Sequence, residues 1–167
     1  MEVGWSTHQA RRIVKIGLSY ACGMEAQIRD AIESDAEAIS PLLLQLMHEP
    51  STAEHVRARL RRLGETGVDR VLVAVAGGQV VGLAGLHVAW MIHLDRPTAR
   101  LMSLVVDEGC RGRGIGRRLV EASCEQARAW GCDRLELTSR LTRTGAHSFY
   151  QSVGFEHTSK RFSMPLR

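Results

Sequence analysis

The stretch that decides the fold runs from an apolar segment through a glycine-rich turn into a helix, and it reads Leu104-Val105-Val106-Asp107-Glu108-Gly109-Cys110-Arg111-Gly112-Arg113-Gly114-Ile115-Gly116. Its first three residues are continuously apolar, which is typical of a strand covered on both faces. Three glycines within five residues follow, at Gly112, Gly114 and Gly116; glycines lose much backbone entropy on folding, and they are favoured where backbone N–H groups must approach a ligand closely. Because a helix start also offers unpaired N–H donors and a positive dipole end, the stretch predicts an anion site.

Most of the net positive charge lies beside this turn. Four arginines occur within eight residues that contain no acid, namely Arg111, Arg113, Arg117 and Arg118. The net charge of the 167-residue chain is +4, so without these four it would be zero. A compact anion such as a pyrophosphate fits this local charge better than a nucleic acid, which needs an extended basic face. We therefore expect no nucleic-acid partner; on charge alone, a solvated basic turn without a ligand is the alternative.

The glycine spacing distinguishes between phosphate-binding turns. The dinucleotide fingerprint G-x-G-x-x-G fails, because Gly112 and Gly114 are followed by Arg117 at the third position. The Walker A turn needs Gly-Lys-Ser/Thr, which this stretch lacks. The pattern that fits is R-x-x-G-x-G from Arg111 to Gly116, directly after a strand and directly before an amphipathic helix.

Length and composition are those of one globular domain. Apolar residues make up 44% of the chain and charged residues 24%. No run approaches the roughly 18 consecutive apolar residues of a membrane-spanning helix, so we expect no membrane contact. We predict a poorly ordered, tag-like extension over residues 1–23 and a single domain over residues 24–167.

The cysteines carry no metal-binding pattern. The chain has four, at Cys22, Cys110, Cys124 and Cys132, with no C-x-x-C pair and no histidine at zinc-finger spacing. We therefore predict no metal site. A domain of this size does not need disulfides, so the thiols are predicted to be reduced and the protein cytoplasmic.

Hydrophobic periodicity and turn residues predict the element order βααβββαβαβ. Strands are predicted over residues 26–30, 70–76, 79–88, 99–107, 133–138 and 155–164. Helices are predicted over 34–47, after residue 51, from 115 to about 130 and over 145–152. S-x-x-E capping boxes at Ser34–Glu37 and Ser51–Glu54 open the first two helices. The order indicates an α/β (α+β) sandwich with a mixed sheet rather than a doubly wound fold.

A second motif lies near the C-terminus, where residues 146–155 read Ala-His-Ser-Phe-Tyr-Gln-Ser-Val-Gly-Phe. Together with the turn at residues 111–116, this A-x-x-F-Y-x-x-x-G-F pattern resembles the GCN5-related N-acetyltransferase (GNAT) superfamily, and the resemblance covers roughly residues 26–164. It implies a mixed, mostly antiparallel sheet flanked by about four helices, with strands splayed apart at the cofactor site. It also implies acetyl-CoA as the acetyl donor.

The resemblance assigns the residues that hold the donor. Backbone groups of Leu104, Val105 and Val106 would hydrogen-bond the pantetheine amides in the manner of an added strand. The diphosphate would lie on the glycine-rich turn and the first helical turn, formed by Arg111, Gly112, Arg113, Gly114, Ile115, Gly116 and Arg117.

The resemblance also implies direct acyl transfer from the thioester to an amine in a ternary complex. Tyr150 would protonate the departing thiolate, since a phenol is protonated at neutral pH; a core tyrosine beside Phe149 is the alternative. Many relatives carry an acidic base on the cofactor strand, but residues 101–104 contain no carboxylate. Ser103 is a candidate to hold a relay water. His87 is a candidate base, because histidine titrates near neutral pH; a partly packed surface histidine is the alternative.

The acetyl acceptor is the least specified part of the prediction. We expect the acceptor pocket to form from the turn His48–Pro50 and the loop 89–97, with Trp90 and His93 at its mouth. The acceptor would be a primary amine of a small molecule or of a protein. A catalytically silent acetyl-CoA-binding sensor of the same fold is the alternative function, favoured by the missing strand carboxylate. Family habit adds the expectation of a homodimer.

Overall fold

A five-stranded sheet forms the centre of the protein. The computed structural model describes residues 25–166. The strands are β1 (Gln27–Asp30), β2 (Asp69–Ala76), β3 (Gln79–Ala89), β4 (Thr98–Val106) and β5 (Leu135–Leu137). They lie side by side in chain order, and every neighbouring pair is antiparallel except the parallel pair β4–β5.

Helices cover both faces of this sheet. In the described part of the chain they are α1 (Ala36–Met47), α2 (Ala53–Glu65), α3 (Ile115–Ala129) and α4 (Thr144–Ser152). On one face, Ile39 of α1 and Val56 of α2 share a core with Val73 of β2. On the other face, Leu119 of α3 is fully buried against the sheet. The predicted mixed, mostly antiparallel architecture with about four helices is confirmed.

The predicted element order is confirmed through α4, but the last predicted strand is wrong. Residues 155–164 have no regular secondary structure, and Phe162 and Met164 are exposed. A segment becomes a strand only when a neighbouring strand and a sheet face are available to it. Among residues 25–166 the sheet ends at β5, so this segment finds no such partner there.

The start of α1 also differs from the prediction. No capping hydrogen bond comes from Ser34; instead α1 begins at Ala36 after a short 3-10 turn. The Asp35 carboxylate accepts the Ile32 N–H at 2.9 Å and two hydrogen bonds from the Arg29 guanidinium at 2.7 and 2.8 Å. A partly buried ion pair, which sequence spacing does not reveal, therefore fixes how the chain enters α1.

The N-cap of α2 lies one residue after the predicted one. Its N-cap is Thr52 rather than Ser51, and the Thr52 hydroxyl accepts the His55 N–H at 3.2 Å. Both side chains are good N-caps, so composition alone does not choose between them.

Replacing Asp35 by Asn is expected to lower the free energy of unfolding by about 2 kcal/mol at pH 7, because the Asp35 side chain is only 8% exposed and would lose a charged partner. The hydrogen bonds from Arg29 hold the pKa of Asp35 below its ordinary value of 3.8, against the opposing effect of burial. A lowered carboxyl pKa contributes stability that is complete above the ordinary value and is lost as pH falls below it. Urea unfolding should therefore show the same difference between wild type and variant at pH 7 and pH 5, and a smaller one at pH 3. A difference that does not change with pH would contradict the role of the charge.

Two β-bulges shape the sheet face that α1 and α2 cover. The register between β2 and β3 shifts by one residue, so that Asp69 lies opposite His87. Between β3 and β4 the extra residue is Met102, so that Gly85 lies opposite Ser103. A bulge re-aims the side chains beside it. The two shifts together bring three polar side chains onto one face of an otherwise apolar sheet.

The predicted extension over residues 1–23, including Cys22, lies outside the described residues, so that domain boundary stays a prediction. Cys124 and Cys132 are free thiols. The fully buried Cys110 is disulfide-bonded, so the prediction of four reduced thiols is wrong at that position.

Within residues 25–166, no helix combines the length and the apolar character needed to cross a membrane. In the same part of the chain, no group of three or more His, Cys, Asp and Glu side chains is arranged to hold a metal ion.

Candidate functional site

The glycine-rich turn connects β4 to α3. It starts with a 3-10 turn over Glu108–Cys110, which Asp107 caps by accepting the Gly109 N–H at 2.9 Å. Gly112 and Gly114 have φ angles of 76° and 78°, in the left-handed region that favours glycine. Gly114 is also the N-cap of α3. Glycine is thus required where the chain turns into the helix.

The turn leaves a row of backbone donors without acceptors. No oxygen atom in the described part of the chain accepts a hydrogen bond from the N–H groups of residues 111–117, and the first helical bond runs from the Arg118 N–H to the Gly114 carbonyl at 3.1 Å. A Cβ atom at Gly112 or Gly114 would meet no atom of residues 25–166 within 4 Å, so this part of the chain leaves the space beside the turn open. Unpaired N–H groups at a helix start bind anions. The geometry suits a diphosphate.

The four arginines of the basic cluster differ in what they contact. The Arg111 Nε donates to the last carbonyl of β4 at 3.0 Å, and the Arg117 guanidinium donates to the last carbonyl of α4 at 3.0 Å. Arg118 forms an ion pair of 2.8 Å with an exposed glutamate. Among residues 25–166, Arg113 has no hydrogen-bond or ion-pair partner. Arg111 and Arg117 thus tie the turn region to β4 and α4, whereas Arg113 is available to a bound anion.

The third glycine allows two helices to approach each other. A Cβ atom at Gly116 would lie 3.1 Å from the ring of Phe149 on α4, which is closer than side chains normally pack. The side chain of Val106, the last residue of β4, would lie 3.8 Å from the same Cβ atom. The first turn of α3 therefore packs closely against both α4 and the end of β4.

Tyr150 follows Phe149 on α4. Its ring centroid lies 5.5 Å from that of Phe149 and 5.8 Å from that of Phe155. Burial raises the pKa of the Tyr150 hydroxyl above its ordinary value of 10.0, and the positive charge of Arg143 offsets part of this rise. The hydroxyl therefore stays protonated through the neutral range, as a general acid must.

β4 and β5 separate beside the turn, which confirms the predicted splayed strands. They pair only where residues 99–101 of β4 face Leu135–Leu137. β4 continues to Val106 with no partner on that side among the described residues. The side chains of Leu104 and Val105 pack into the two cores on opposite faces of the sheet. The backbone of this last part of β4 is what remains available to an extended ligand.

Gln45 on α1 ties the turn to the helix layer. Its amide donates to the Asp107 carboxylate at 2.9 Å, and its carbonyl oxygen accepts the Glu108 N–H at 3.0 Å. Nearby, Arg143 donates to the Leu46 carbonyl at 2.6 Å, so the end of α1 also holds the segment that leads into α4. The sequence analysis did not predict these contacts, because a polar glutamine or arginine does not indicate which residue far along the chain it will contact.

A cavity of about 420 Å³ lies between the sheet and the helices α1 and α2. Most of its wall is apolar and consists of Ile39, Leu43, Val56, Leu60, Leu63, Val71, Leu83, Leu86 and Met102. Its polar side chains are those of Arg59, Asp69, Arg70, His87 and Ser103. Two of the residues predicted from sequence, His87 and Ser103, are thus brought together in one cavity.

Other predicted residues lie elsewhere. Tyr150 does not line this cavity, so the cavity does not bring the candidate acid and the candidate base together. The segments His48–Pro50 and 89–97, expected to form the acceptor pocket, do not line it either. Trp90 is 73% exposed. The cavity is instead built from the faces of α1 and α2 and from the strands β2, β3 and β4.

His87 has an acidic partner that the sequence analysis did not identify. Its Nδ1 lies 2.9 Å from the Asp69 carboxylate, whose side chain is only 15% exposed. The Thr66 hydroxyl donates to the other carboxylate oxygen at 2.8 Å. An ionised carboxylate only accepts hydrogen bonds, so the hydrogen lies on Nδ1 and Nε2 is the ring nitrogen that can take a proton.

Gly85 is a second residue that the sequence analysis missed. A Cβ atom there would lie 2.5 Å from the Ser103 Oγ. Only glycine at this position leaves room for the serine hydroxyl on the cavity face. The signal in the sequence is a glycine within an apolar strand, which often marks a close approach.

Comparison with known proteins agrees with the fold and the turn. A model of the acetyltransferase (GNAT) family matches residues 36–155. The aminoalkylphosphonate N-acetyltransferase of Salmonella typhimurium is 28% identical over 141 residues, which cover 84% of this chain and 91% of that protein. The glucosamine 6-phosphate N-acetyltransferase 1 of Oryza sativa subsp. japonica is 35% identical over 122 residues, covering 68% and 70% of the two chains. For some other relatives the match is partial: it covers 40% of N-acetyltransferase 8 from Mus musculus.

Solved structures share the fold at lower identity. An aminoglycoside N-acetyltransferase in complex with CoA superposes with a TM-score of 0.77 at 21% identity, covering 87% of this chain and 97% of the other. A transcriptional regulator from Bacillus halodurans C-125 also gives a TM-score of 0.77, at 24% identity, and covers 85% of this chain and all of that one. These two likenesses concern the fold alone. The family match spans most of the chain and includes both motifs, and the chain therefore belongs to the acetyltransferase (GNAT) family, as an acyltransferase.

Proposed function

We propose that the protein transfers the acetyl group of acetyl-CoA to a primary amine of a small molecule, by direct attack in a ternary complex. The observation that carries the proposal is the row of unpaired N–H groups at residues 111–117, next to the unpaired backbone of β4. Two relatives are named for small amines that carry a phosphonate or a phosphate group. A third, from Stenotrophomonas maltophilia, is named as an aminoglycoside N(6')-acetyltransferase.

The residues present fit the donor. The N–H groups from Arg111 to Arg117, with the free guanidinium of Arg113, would hold the diphosphate. The backbone of Leu104, Val105 and Val106 would pair with the pantetheine amides. Acetyl-CoA would supply a thioester whose C–S bond breaks as the new C–N bond forms.

The chain's own groups would handle the protons. His87 Nε2 accepts the proton that the attacking amine must lose, and Asp69 holds the imidazole in the required tautomer. Ser103 is close to the same place and can position a water between base and amine. Tyr150 donates its proton to the departing thiolate, which leaves CoA as the free thiol.

Replacing His87 by Ala is expected to lower kcat/KM for an amine by about tenfold at pH 7 and by less at pH 9, because general-base catalysis is less needed where more of the amine is already deprotonated. Asp69→Asn keeps the size of the side chain but removes its charge, and it should shift the pH profile in the same direction by a smaller amount. The measurement is the rate of thiol release as a function of pH. An equal loss of kcat/KM at both pH values would mean that His87 has a structural role and is not the base.

The proposed function is tested most directly by release of free thiol from acetyl-CoA in the presence of a panel of primary amines, with the acetylated amine identified by mass spectrometry. Turnover that depends on the amine supports the proposal. Tight acetyl-CoA binding without turnover on any amine would overturn the proposal and favour the catalytically silent acetyl-CoA-binding sensor.

The expected homodimer stays a prediction, which sedimentation analysis would test.

A further inference from the structure

The cavity beside His87 is polar on the side of the sheet and apolar on the side of the helices. The sheet supplies Asp69, His87 and Ser103, which form a polar floor. The helices α1 and α2 supply an apolar roof above it, which includes Leu43 and Leu60. A ligand that fits must therefore place a polar, reactive group on the floor and an apolar body under the roof.

The roof contains apolar surface that the protein itself does not bury. Leu42 of α1 is 2% exposed and belongs to the core, whereas its neighbour Leu43 is only half-buried and faces the cavity. Leu60 and Leu63 of α2 are half-buried in the same way. A bound apolar group would remove this surface from water, which favours binding of an apolar body.

The charged groups around the cavity are mostly engaged with one another. Asp69 is occupied by His87 and by a threonine hydroxyl. The Arg70 guanidinium is paired with Asp30 at 2.6 Å. Only Arg59, exposed at the rim, has no ionic partner among the described residues, and it contacts a serine hydroxyl at 3.2 Å. Apart from Arg59 at the rim, the cavity lining thus offers no unengaged charge to a body that carries several ammonium groups or a phosphonate.

We propose that the acceptor is a primary amine attached to an apolar aliphatic or aromatic body, which lies under Leu43, Leu60 and Leu63 while its amino group meets His87 and Ser103. The inference rests on the proposed function and names its substrate class. The volume of about 420 Å³ lies within the range of pockets for small molecules. The class differs from the phosphorylated and aminoglycoside amines for which the relatives are named.

The test compares kcat/KM for phenethylamine and hexylamine with that for ethanolamine, 2-aminoethylphosphonate and kanamycin, all with acetyl-CoA. We expect a preference of about tenfold or more for the two apolar amines, since an apolar pocket gains that much from a few buried methylene groups. A preference for any of the polar amines would overturn the inference and leave the proposed function intact. Absence of turnover on all five amines, with acetyl-CoA binding retained, would overturn both.

Two adjacent leucines of α1 provide a matched pair of variants. Leu43→Gln places a polar amide in the roof, and it should lower the ratio of kcat/KM for phenethylamine to that for ethanolamine by about tenfold. Leu44→Gln changes a leucine that is 46% exposed and does not line the cavity, so the ratio should remain within about twofold of wild type. Because a ratio within one variant cancels any loss of folded enzyme, partial unfolding of Leu43→Gln does not obscure the result. Equal ratios in the two variants would overturn the inference.

Discussion

Gly114→Val is expected to weaken CoA binding by about a hundredfold or more while the domain stays folded. The N-cap of α3 has a φ of 78°, and a Cβ atom there would meet no protein atom within 4 Å. The branched side chain would therefore point into the open space beside the N–H groups of residues 111–117, where we place the diphosphate. Losing even part of a set of donors to a doubly charged group removes most of its affinity. Isothermal titration of CoA measures the effect.

The control for this variant must reproduce its backbone strain. A β-branched residue in the left-handed region destabilises a protein by about 1–2 kcal/mol wherever it occurs. Gly131, just after α3, has a φ of 76° and no atom within 4 Å of its Cβ position, so Gly131→Val imposes the same strain at the opposite end of the helix. We expect the two variants to lose similar stability in thermal unfolding, with CoA affinity retained only in Gly131→Val. Unchanged affinity in Gly114→Val would mean that the diphosphate lies elsewhere.

The turn at residues 111–116 was predictable because its signals are local. Glycines at the left-handed positions Gly112 and Gly114, an apolar strand before them and an amphipathic helix after them all lie within one short stretch. The hairpin turn at residues 77–78 was predictable for the same reason. By contrast, whether residues 155–164 form a strand depends on a partner strand, and the sequence carries no information about such a partner.

The polar face of the sheet, which we propose as the catalytic one, was only half predictable. Extending the hairpin pairing from Ala76 and Gln79 without interruption would place Asp69 opposite Leu86. The bulge shifts this register by one residue and places Asp69 opposite His87. No residue pattern in the strands announces this shift, because a bulge is set by the packing of the sheet as a whole. His87 could thus be chosen as a titratable residue, but its acidic partner could not.

The position of Ser103 on the cavity face could not be predicted either, because it too depends on a register shift. Extending the pairing of Ala89 with Thr98 would place Met102 opposite Gly85, and Ser103 would then face α3. The bulge at Met102 turns Ser103 to the cavity instead. The missing carboxylate on this strand was visible in the sequence, whereas the polar face that β2, β3 and β4 assemble from Asp69, His87 and Ser103 was not.

Tyr150→Phe is expected to lower kcat by about a hundredfold or more, the usual contribution of a general acid. The phenyl ring keeps its contacts with Phe149 and Phe155, so CoA affinity, the KM for the amine and the thermal stability should change little. Because burial raises the pKa of the Tyr150 hydroxyl above 10.0, the wild-type group stays protonated at every pH below that value. The loss of kcat in the variant should therefore be the same at pH 7 and pH 9.

This pH behaviour separates the acid from the base. The deficit of His87→Ala should shrink toward pH 9, whereas the deficit of Tyr150→Phe should not, since the wild-type Tyr150 hydroxyl is protonated at either pH. Phe155→Leu provides the matched control, because it removes a ring that touches Tyr150 but leaves the hydroxyl in place. It should lower stability and retain most of kcat. If Tyr150→Phe keeps full kcat at saturating substrates while Phe155→Leu loses it, the aromatic cluster acts through packing, and the proton must reach the thiolate from another donor.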